Sequence, residues 1–597
     1  MLNSNLNPFF EAKGVAVLGA STNPQKLSYG IVENLIQYHY QGKVYPVNPH
    51  AKEILGLKSY ANISEVPDPV DLAVIVLPVG LILKTIREVG ERGIPAAVII
   101  TGGFKEVGAE GAEIEDATRE LAKSYGMRIV GPNCVGTINV ISGLDTTFIK
   151  GMPSQGPIAF ISQSGAICGG VIDLLVDSGI GFSHFASLGN EMDVSEADML
   201  EYFAEDPNVG VIAMYVEGIK DGPYFMEVAR RVTPKKPVVF LKAGKNDAGA
   251  KAVSSHTGSM AGSYLAYKAA LKQCGVVEVN TISELFDVAW ALGTQPLPAG
   301  KRVAITTNAG GAAALMADSL ADSGFELAAL SPETQARLRT QLNPSAQVAN
   351  PVDMLGSVSP EDYLWSLGNL DRDADVDVLL PILVPQALVD MEGVARAWAK
   401  IGNQTHKTLL TCLMGAQSTR LMAKELNQAH IPVFTYPDQV GPVLMAMAEY
   451  ELIKSSLKVE PLPISQDGRD QAKLFLDGLN GKKALGEVES RQMLKLYGIA
   501  SVPGELTSSA NQAAAMAETI GYPVVLKIAA EGLLHKSEAG GIRLNLHNEQ
   551  EMRIAYKDLL YKIQHDNPDA KIQGVMVEKL APQGQEVIVG MRRDATF

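Results

Sequence analysis

The stretch IAFISQSGAICGGVIDLLVDSGIGF, residues 158–182, holds the pattern that decides the fold. An apolar run ends in a small polar turn, a helical pattern follows, and a DSG turn leads to the next apolar run. Short apolar runs separated by helices predict a parallel β-sheet covered by helices on both faces. The same features return in the same order in RVAITTNAGGAAALMADSLADSGFEL, residues 302–327. A repeat on this scale predicts a duplicated α/β unit.

The N-terminal part shows the same alternation of strands and helices. It opens with GVAVLGASTNPQKLSYGIVENLI, residues 14–36, and continues through KVYPVNP, DLAVIVLP, AAVIITGG and MRIVGPN. The turn Gly19-Ala20-Ser21 ends a strand and opens a helix, which is a place where backbone N–H groups can bind an anion. No acidic residue follows the second strand, and this disfavours NAD, because its ribose needs a carboxylate there.

Composition narrows the class of protein. The 597 residues are enough for several domains, since roughly 100–200 residues make one. The net charge of −15 argues against a general nucleic-acid binder. The four cysteines form no CxxC pair, so neither a disulfide framework nor a zinc site is expected, and a cytoplasmic location fits. No signal peptide or apolar membrane span is present in the sequence.

Three segments of the second part carry candidate chemistry. The turn before the helix, Ser162 to Gly165, offers hydroxyl groups and a helix N-terminus to phosphate. Glu217 follows the strand VIAMYVEG, at the edge of the sheet where ligands bind in such folds. His256 lies in SSHTGSMAGS, residues 254–263, which we interpret as a loop running into a helix. A carboxylate that orients the imidazole would leave its second nitrogen as a nucleophile, whereas His256 taken alone is more typical of a buried structural histidine.

A polar linker, VEPLPISQDGRDQ, leads to a last part of different character. Lys527 ends the apolar strand YPVVLKI, His535 lies in the glycine-ending loop LLHKSEAGG, and Glu578 follows the strand VMVEKL. The segment QEVIVGMRRDATF is predicted to contain a strand and a turn. Each of these motifs alone is a weak indication of function. Their order along the chain makes the indication stronger.

Together these motifs resemble the NDP-forming acyl-CoA synthetases, relatives of succinyl-CoA synthetase, with the α- and β-like parts fused in one chain. VLGASTNPQKLSYGIVENL with KVYPVNP is similar to the CoA-binding domain. RIVGPNCVG, ISQSGAI and SLGNEMDVSEADMLEYF are similar to the succinyl-CoA-ligase-like domain. SSHTGSMAGS resembles the phosphohistidine loop of the ADP-forming acetate–CoA ligase branch, and YPVVLKI, LLHKSEAGG and VMVEKL resemble the first lobe of an ATP-grasp domain.

The resemblance implies an α/β fold in four parts. A Rossmann-like CoA-binding domain is expected over residues 1–147 and a succinyl-CoA-ligase-like domain with the phosphohistidine loop over 151–293. A second flavodoxin-like ligase domain is expected over 300–458, and an incomplete ATP-grasp lobe over 475–597. The partners implied are CoA, a small carboxylic acid, phosphate and ATP or ADP, in a homodimer.

The resemblance also implies roles for single residues. His256 would carry the phosphoryl group, Glu217 would steady the phosphohistidine, and His535 would relay the group toward nucleotide. Asn133 would lie near the reacting carbonyl. The residues expected to bind CoA, phosphate or nucleotide are Gly19, Ser21, Asn23, Lys26, Val47, Asn48, Pro49, Ser164, Gly165, Lys527 and Glu578.

Two further expectations follow from the C-terminal part. The acids that bind Mg²⁺ in an ATP-grasp domain are expected beyond residue 597, so the chain alone is expected to make no acyl-CoA from acid, ATP and CoA. A second interpretation is the synthetase-like, acyl-CoA-sensing region of a protein lysine acetyltransferase, with its GNAT domain following the given residues. The relay histidine is typically replaced in such regions, so His256 favours the enzyme.

Overall fold

The computed structural model describes most of the chain, and the described residues form two compact units. One unit comprises residues 1–458 with 593–597, and the other comprises residues 459–592. The structure describes residues 6–257, 263–387, 389–415, 418–456, 465–479, 484–531, 540–566, 568, 570–591, 593, 594, 596 and 597.

The first region of the larger unit is built on a five-stranded parallel sheet in the order β2-β1-β5-β6-β7. Its elements are α1 (Pro8–Glu11), β1 (Gly14–Leu18), α2 (Leu27–Gln37), β2 (Lys43–Val47), β3 (Glu53–Ile54), β4 (Leu57–Lys58), β5 (Leu72–Ile75), α3 (Ile82–Glu91), β6 (Ala96–Ile99), α4 (Ala109–Ser124) and β7 (Arg128–Val130). Strands β1, β5 and β6 are buried along their whole length. Continuous apolar runs are typical of parallel strands because helices cover both faces of the sheet.

The second region contains a seven-stranded sheet in the order β14-β13-β12-β10-β11-β8-β9. Its elements are β8 (Thr137–Asn139), β9 (Leu144–Asp145), β10 (Ser154–Ser162), α5 (Gly165–Leu175), β11 (Gly181–Ser187), α6 (Glu196–Glu205), β12 (Val211–Val216), α7 (Gly222–Val232), β13 (Val238–Lys242), α8 (Asp247–Thr257), α9 (Tyr264–Gln273), β14 (Val277–Val279) and α10 (Ile282–Thr294). Strands β8 and β9 join this sheet by antiparallel pairing through β11, although the domain prediction assigns them to the first region.

The third region repeats the parallel core of the second. Its elements are β15 (Arg302–Thr307), α11 (Gly310–Asp322), β16 (Glu326–Leu327), α12 (Pro332–Gln341), β17 (Val352–Asp353), α13 (Pro360–Arg372), β18 (Val378–Leu383), α14 (Met391–Gly402), β19 (Thr408–Leu409), β20 (Thr411–Leu413), α15 (Arg420–Gln428), β21 (Val433–Phe434) and α16 (Val440–Ser456). The order β16-β15-β18-β20-β21 matches β11-β10-β12-β13-β14 of the second region, strand for strand.

Local details support the duplication. Helices α6 and α13 both begin with a capping box, formed by Ser195 with Asp198 and by Ser359 with Asp362. Such a box satisfies backbone N–H groups at the start of a helix. Four residues before each cap, Glu191 and Leu355 both have positive φ angles, +54° and +69°. The repeat predicted from residues 158–182 and 302–327 therefore extends into the following loops and helices.

The smaller unit contains a four-stranded antiparallel sheet in the order β22-β25-β23-β24, against which α19 and α20 pack. Its elements are α17 (Gln466–Asp477), α18 (Glu487–Leu496), β22 (Gly504–Thr507), α19 (Ala510–Ile520), β23 (Val524–Glu531), β24 (Ile542–Leu546), α20 (Glu549–Asp566) and β25 (Lys571–Lys579). Helix α17 occupies the second half of the predicted linker and crosses residue 475, where the fourth domain was predicted to begin.

The α/β class and the parallel sheets agree with the sequence prediction, and one predicted strand is wrong. Residues 585–590 have no regular structure, and Ile588 is 97% exposed. An apolar run becomes a strand only when a neighbouring strand supplies hydrogen-bond partners, and none pairs with this segment within the described residues. None of the described helices has the length and apolar character needed to cross a membrane. All four cysteines are buried and unpaired.

Candidate functional site

The residues predicted to bind CoA meet at the carboxyl ends of β1 and β2. The Gly19 N–H donates to the carbonyl of Val47 at 3.1 Å. Gly19 has a φ of +84°, and a Cβ there would lie 2.4 Å from the carbonyl oxygen of Val76, so the turn requires glycine. The Asn48 amide donates to the carbonyl of Ala20 at 2.7 Å and ties the two strand ends together.

Three further residues of this predicted group, Ser21, Asn23 and Lys26, lie in the turn that precedes α2. The Ser21 hydroxyl accepts from the N–H of Asn23 at 3.1 Å, and the Asn23 side chain accepts from the N–H of Gln25 at 2.9 Å. Lys26 is the N-cap residue of α2. Pro49 lies in the exposed turn after β2. Because these residues are close together and accessible, the turn offers backbone N–H groups and an ammonium to an anionic ligand.

A cavity of about 650 Å³ lies between the first and second regions of the larger unit. Four residues predicted from the sequence to act in the reaction line it, namely Asn133, Ser164, Gly165 and Glu217. They come from three separate stretches of chain, which the ends of β7, β10 and β12 bring to one edge of the sheets. Such an edge is where α/β folds bind ligands.

The turn at the start of α5 can hold an anion. Ser164 is the N-cap residue, and its hydroxyl accepts from the N–H of Ile167 at 3.4 Å. At Gly165 a Cβ would lie 2.8 Å from a methyl carbon of Val135, so the helix approaches the cavity wall closely. The unpaired N–H groups and the dipole of α5 therefore face the cavity, where they favour negative charge.

A strained turn, residues 187–191 (SLGNE), forms the opposite wall. Asn133 and Glu191 both adopt positive φ, +58° and +54°, a backbone conformation that is uncommon for non-glycine residues. Two ammonium groups, of Lys105 and Lys220, donate to the carbonyl of Asn190. The Asn133 amide donates to the Asn190 side chain at 3.4 Å.

Two buried carboxyl groups lie behind this turn. Burial raises the pKa of Glu191, an effect that Lys220 and the amide of Gln163 oppose. Burial and the neighbouring Glu191 raise the pKa of Glu196 well above its usual value. The two carboxyl groups are hydrogen-bonded, and Lys220 lowers the pKa of both, so the pKa of Glu196 is raised further than that of Glu191 mainly by burial and by the neighbouring carboxylate.

Glu217 is buried, 9% exposed, at the end of β12. The Lys242 ammonium donates to its backbone carbonyl at 2.7 Å and lies 4.8 Å from the ring centre of Tyr267. Burial lowers the pKa of Lys242 to about 8, although the charge of Glu217 opposes the shift. The backbone carbonyl of Glu217 is thus held in place by a buried cation, the Lys242 ammonium.

His256 lies in the last turn of α8, which ends at Thr257, and not in a loop as the sequence suggested. Alanine has the highest helix propensity, so the alanines of DAGAKAVSSHT favour a helix, whereas the small residues next to His256 do not reveal where it ends. The side chain of His256 lies outside the described part of the structure.

In the smaller unit, Lys527 and Glu578 lie side by side on β23 and β25. Their side chains are 2.6 Å apart, and Arg491 forms a second ion pair with Glu578. Although burial favours the neutral amine, Glu578 and Glu487 raise the pKa of Lys527. Glu578 is 3% exposed, and Lys527 and Arg491 compensate its charge. Glu487 lies 3.5 Å from Lys527, so the four charges of this cluster balance. His535 lies outside the described residues.

The sequence did not single out Lys105, Gln163, Glu191, Lys220 or Lys242 as site residues. Lys242 ends the apolar strand PVVFLKAG, a position that could have been weighed in the same way as Glu217. No local signal marks Lys105 or Lys220, because only the fold brings them to the same carbonyl.

Family models match the chain in four successive segments. A CoA binding domain matches residues 13–139, and a succinyl-CoA ligase like flavodoxin domain matches residues 155–292. A Ligase-CoA domain matches residues 303–460 and an ATP-grasp domain matches residues 479–597.

Proteins of known activity are similar over nearly the whole chain. Acetate–CoA ligase [ADP-forming] I of Archaeoglobus fulgidus is 40% identical over 591 residues, 98% of this chain and 84% of that protein. The 4-hydroxybutyrate–CoA ligase [ADP-forming] of Nitrosopumilus maritimus is 34% identical over 599 residues, 99% of this chain and 85% of that protein. A solved structure of the dinucleotide forming acetyl-coenzyme A synthetase 1 of Ca. Korarchaeum cryptofilum, in complex with phosphate and ADP, superposes with a TM-score of 0.71. It is 36% identical and covers 76% of this chain and 100% of that chain. With its four domains in this order, the chain belongs to the ADP-forming acyl-CoA ligase family.

Proposed function

We propose that this protein interconverts a carboxylic acid, CoA and ATP with the acyl-CoA, ADP and phosphate, through an acyl phosphate and a phosphohistidine at His256. The observation that carries the proposal is the cavity of about 650 Å³, in which Asn133, Ser164, Gly165 and Glu217 meet. It combines an anion-binding helix N-terminus with a buried carboxylate, and α8 carries His256 in the same unit.

The first half-reaction exchanges a thioester for an acyl phosphate. A phosphate oxygen attacks the thioester carbonyl, the carbon–sulfur bond breaks, and CoA leaves as a thiolate that takes up a proton. The N–H groups at the start of α5, beside Ser164, would hold the phosphate, and the amide of Asn133 would donate to the oxygen on which charge develops. CoA would lie along the turn of Gly19, Ser21, Asn23 and Lys26 and along Val47, Asn48 and Pro49.

The second half-reaction passes the phosphoryl group to protein. A neutral His256 nitrogen attacks the phosphorus, the bond to the acyl oxygen breaks, and the carboxylate leaves. Glu217 would accept a hydrogen bond from the N–H of the other ring nitrogen and stabilise the positive imidazole that forms. The phosphoryl group would then reach ADP by way of His535, with Lys527 and Glu578 holding the nucleotide, so that phosphoryl transfer rests on positioning and charge neutralisation.

Magnesium is the metal that this family implies, and it would neutralise phosphate charge. Within the described residues, however, no group of three or more His, Cys, Asp or Glu side chains could hold a metal ion. The ligands therefore stay unassigned, and no step above depends on the metal.

The cavity volume of about 650 Å³ lies within the usual range of small-molecule sites and does not select one acid. Acetate is the first substrate to test, followed by propionate and branched or aryl acids. From the family resemblance we also expect a homodimer, which light scattering after size-exclusion chromatography would measure.

The proposed function is tested by phosphate-dependent release of CoA. Acetyl-CoA is mixed with the protein, and free thiol is measured with and without inorganic phosphate and with a lysine-containing acceptor peptide. We expect thiol release to require phosphate and the peptide to have no effect. Thiol release that requires the peptide and not phosphate would instead support an acetyltransferase-type role.

A further inference from the structure

We propose that Gln163 is a positioning residue that fixes Glu217 relative to the SLGNE turn, so that its amide sets the geometry for phosphorylation of His256. This inference rests on the proposed function and adds to it a residue that does not itself react. Gln163 lies between β10 and the N-cap of α5, at the edge of the cavity.

The Gln163 side chain makes four hydrogen bonds. Its oxygen accepts from the backbone N–H groups of Glu217 at 2.6 Å and Gly218 at 3.0 Å. Its nitrogen donates to the carbonyl of Gly218 at 2.7 Å and to the carboxylate of Glu191 at 2.9 Å. The two backbone N–H groups can only donate, so the orientation of the amide is fixed, and its capacity for hydrogen bonds is used fully.

These four bonds join the three parts of the cavity wall. Gln163 belongs to the phosphate-binding turn, Glu217 ends β12, and Glu191 belongs to the strained SLGNE turn. The Lys242 ammonium holds the carbonyl of Glu217, while the Gln163 amide holds its N–H. The backbone N–H and the backbone carbonyl of Glu217 are therefore both hydrogen-bonded to side chains, which limits where the Glu217 carboxylate can lie.

The third region contains a similar pair of hydrogen bonds between an amide side chain and a strand end, but no predicted site residue. Asn308, which aligns with Gln163 in the repeat, accepts from the N–H of Val384 at 2.9 Å and donates to its carbonyl at 2.8 Å. Val384 follows β18 as Glu217 follows β12. An amide that clamps the neighbouring strand end is thus part of the repeated fold, and the added bond to Glu191 is what Gln163 contributes in the second region.

The test compares matched variants in a single-turnover assay. Phosphorylation of the full chain by labelled acetyl phosphate is followed over time for the unsubstituted protein, Gln163→Met and Asn308→Leu. We expect Gln163→Met to lower the rate on the order of 10²-fold, because a shift of about 1 Å in a positioning group can cost this much. Asn308→Leu should leave the rate unchanged, and thermal unfolding shows whether each variant is folded.

Two further measurements separate positioning from a general structural effect. If Gln163 acts through Glu217, the double variant with Glu217→Gln should be no slower than Glu217→Gln alone. In Gln163→Glu the new carboxyl group faces the Glu191 carboxylate and the Gly218 carbonyl, and its single O–H regains one of the two donated bonds only when it takes up a proton. The rate of this variant relative to the unsubstituted protein should therefore rise as the pH falls.

Equal rates for Gln163→Met and the unsubstituted protein would overturn the inference and leave the proposed function intact. Fully additive losses in the double variant, or a ratio for Gln163→Glu that does not change with pH, would also overturn it. If the unsubstituted protein takes up no label at all, the proposed function fails, and this inference fails with it.

Discussion

At the residue scale, the site consists of charged groups whose backbone and side-chain contacts the fold fixes. Glu217 and Glu191 are both buried, at 9% and 6% exposed, and both are close to an ammonium group. A buried carboxylate keeps its charge only when cations and N–H donors compensate for the lost water. The Lys242 ammonium supplies such a positive charge at the backbone carbonyl of Glu217. The protonation state of Lys242 is therefore expected to affect the reaction.

The lowered pKa of Lys242 predicts a pH dependence. Its ammonium is present below about pH 8 and is lost as the pH rises through this value, well below the range of an ordinary lysine. The phosphorylation rate of the unsubstituted protein divided by that of Lys242→Met should be large at neutral pH and should shrink above pH 8. Lys245→Met, a neighbouring lysine paired with Glu278, serves as the control. A ratio for Lys242→Met that stays constant from neutral to alkaline pH would contradict the assignment.

At the scale of the element, strand-to-helix turns make the binding surfaces. The turns after β1 and β10 combine small residues with the start of a helix, and the turn after β15 repeats the pattern without any site residue predicted there. The sequence predicted these turns because an apolar run, small residues and a helical pattern lie within about 20 residues of one another. It did not predict Lys105 and Lys220, since these residues are far apart in the chain and only the fold brings them to the carbonyl of Asn190.

The first of these turns gives a prediction for Gly19→Ala. The added methyl group meets the carbonyl of Val76 at 2.4 Å and forces a φ of +84° on alanine, at a cost of about 1–3 kcal/mol. We expect weaker CoA binding by calorimetry and a lower midpoint of thermal unfolding. Gly80→Ala is the matched control, because a Cβ at Gly80 has no atom within 4 Å. If Gly19→Ala bound CoA as tightly as the control, this turn would not be the CoA site.

At the scale of the whole molecule, the chain divides into two compact units with different chemistry. The larger unit holds the cavity, the predicted CoA turn and His256, and the smaller unit holds the ion cluster of Lys527, Glu578 and Arg491. Apolar periodicity predicted the parallel sheets of the larger unit well, since it reports burial directly. It predicted a strand at residues 585–590 that does not form, because periodicity does not say whether a partner strand is present.

The central claim is that His256 carries the phosphoryl group, and mapping the label after reaction with acetyl-CoA and labelled phosphate tests it most directly. The matched variant is His256→Asn, which removes the nucleophile. The account predicts that one acid-labile phosphate forms on His256 while CoA is released. It predicts no label in His256→Asn. Label on a residue other than His256 and His535, or equal labelling of His256→Asn, would contradict it.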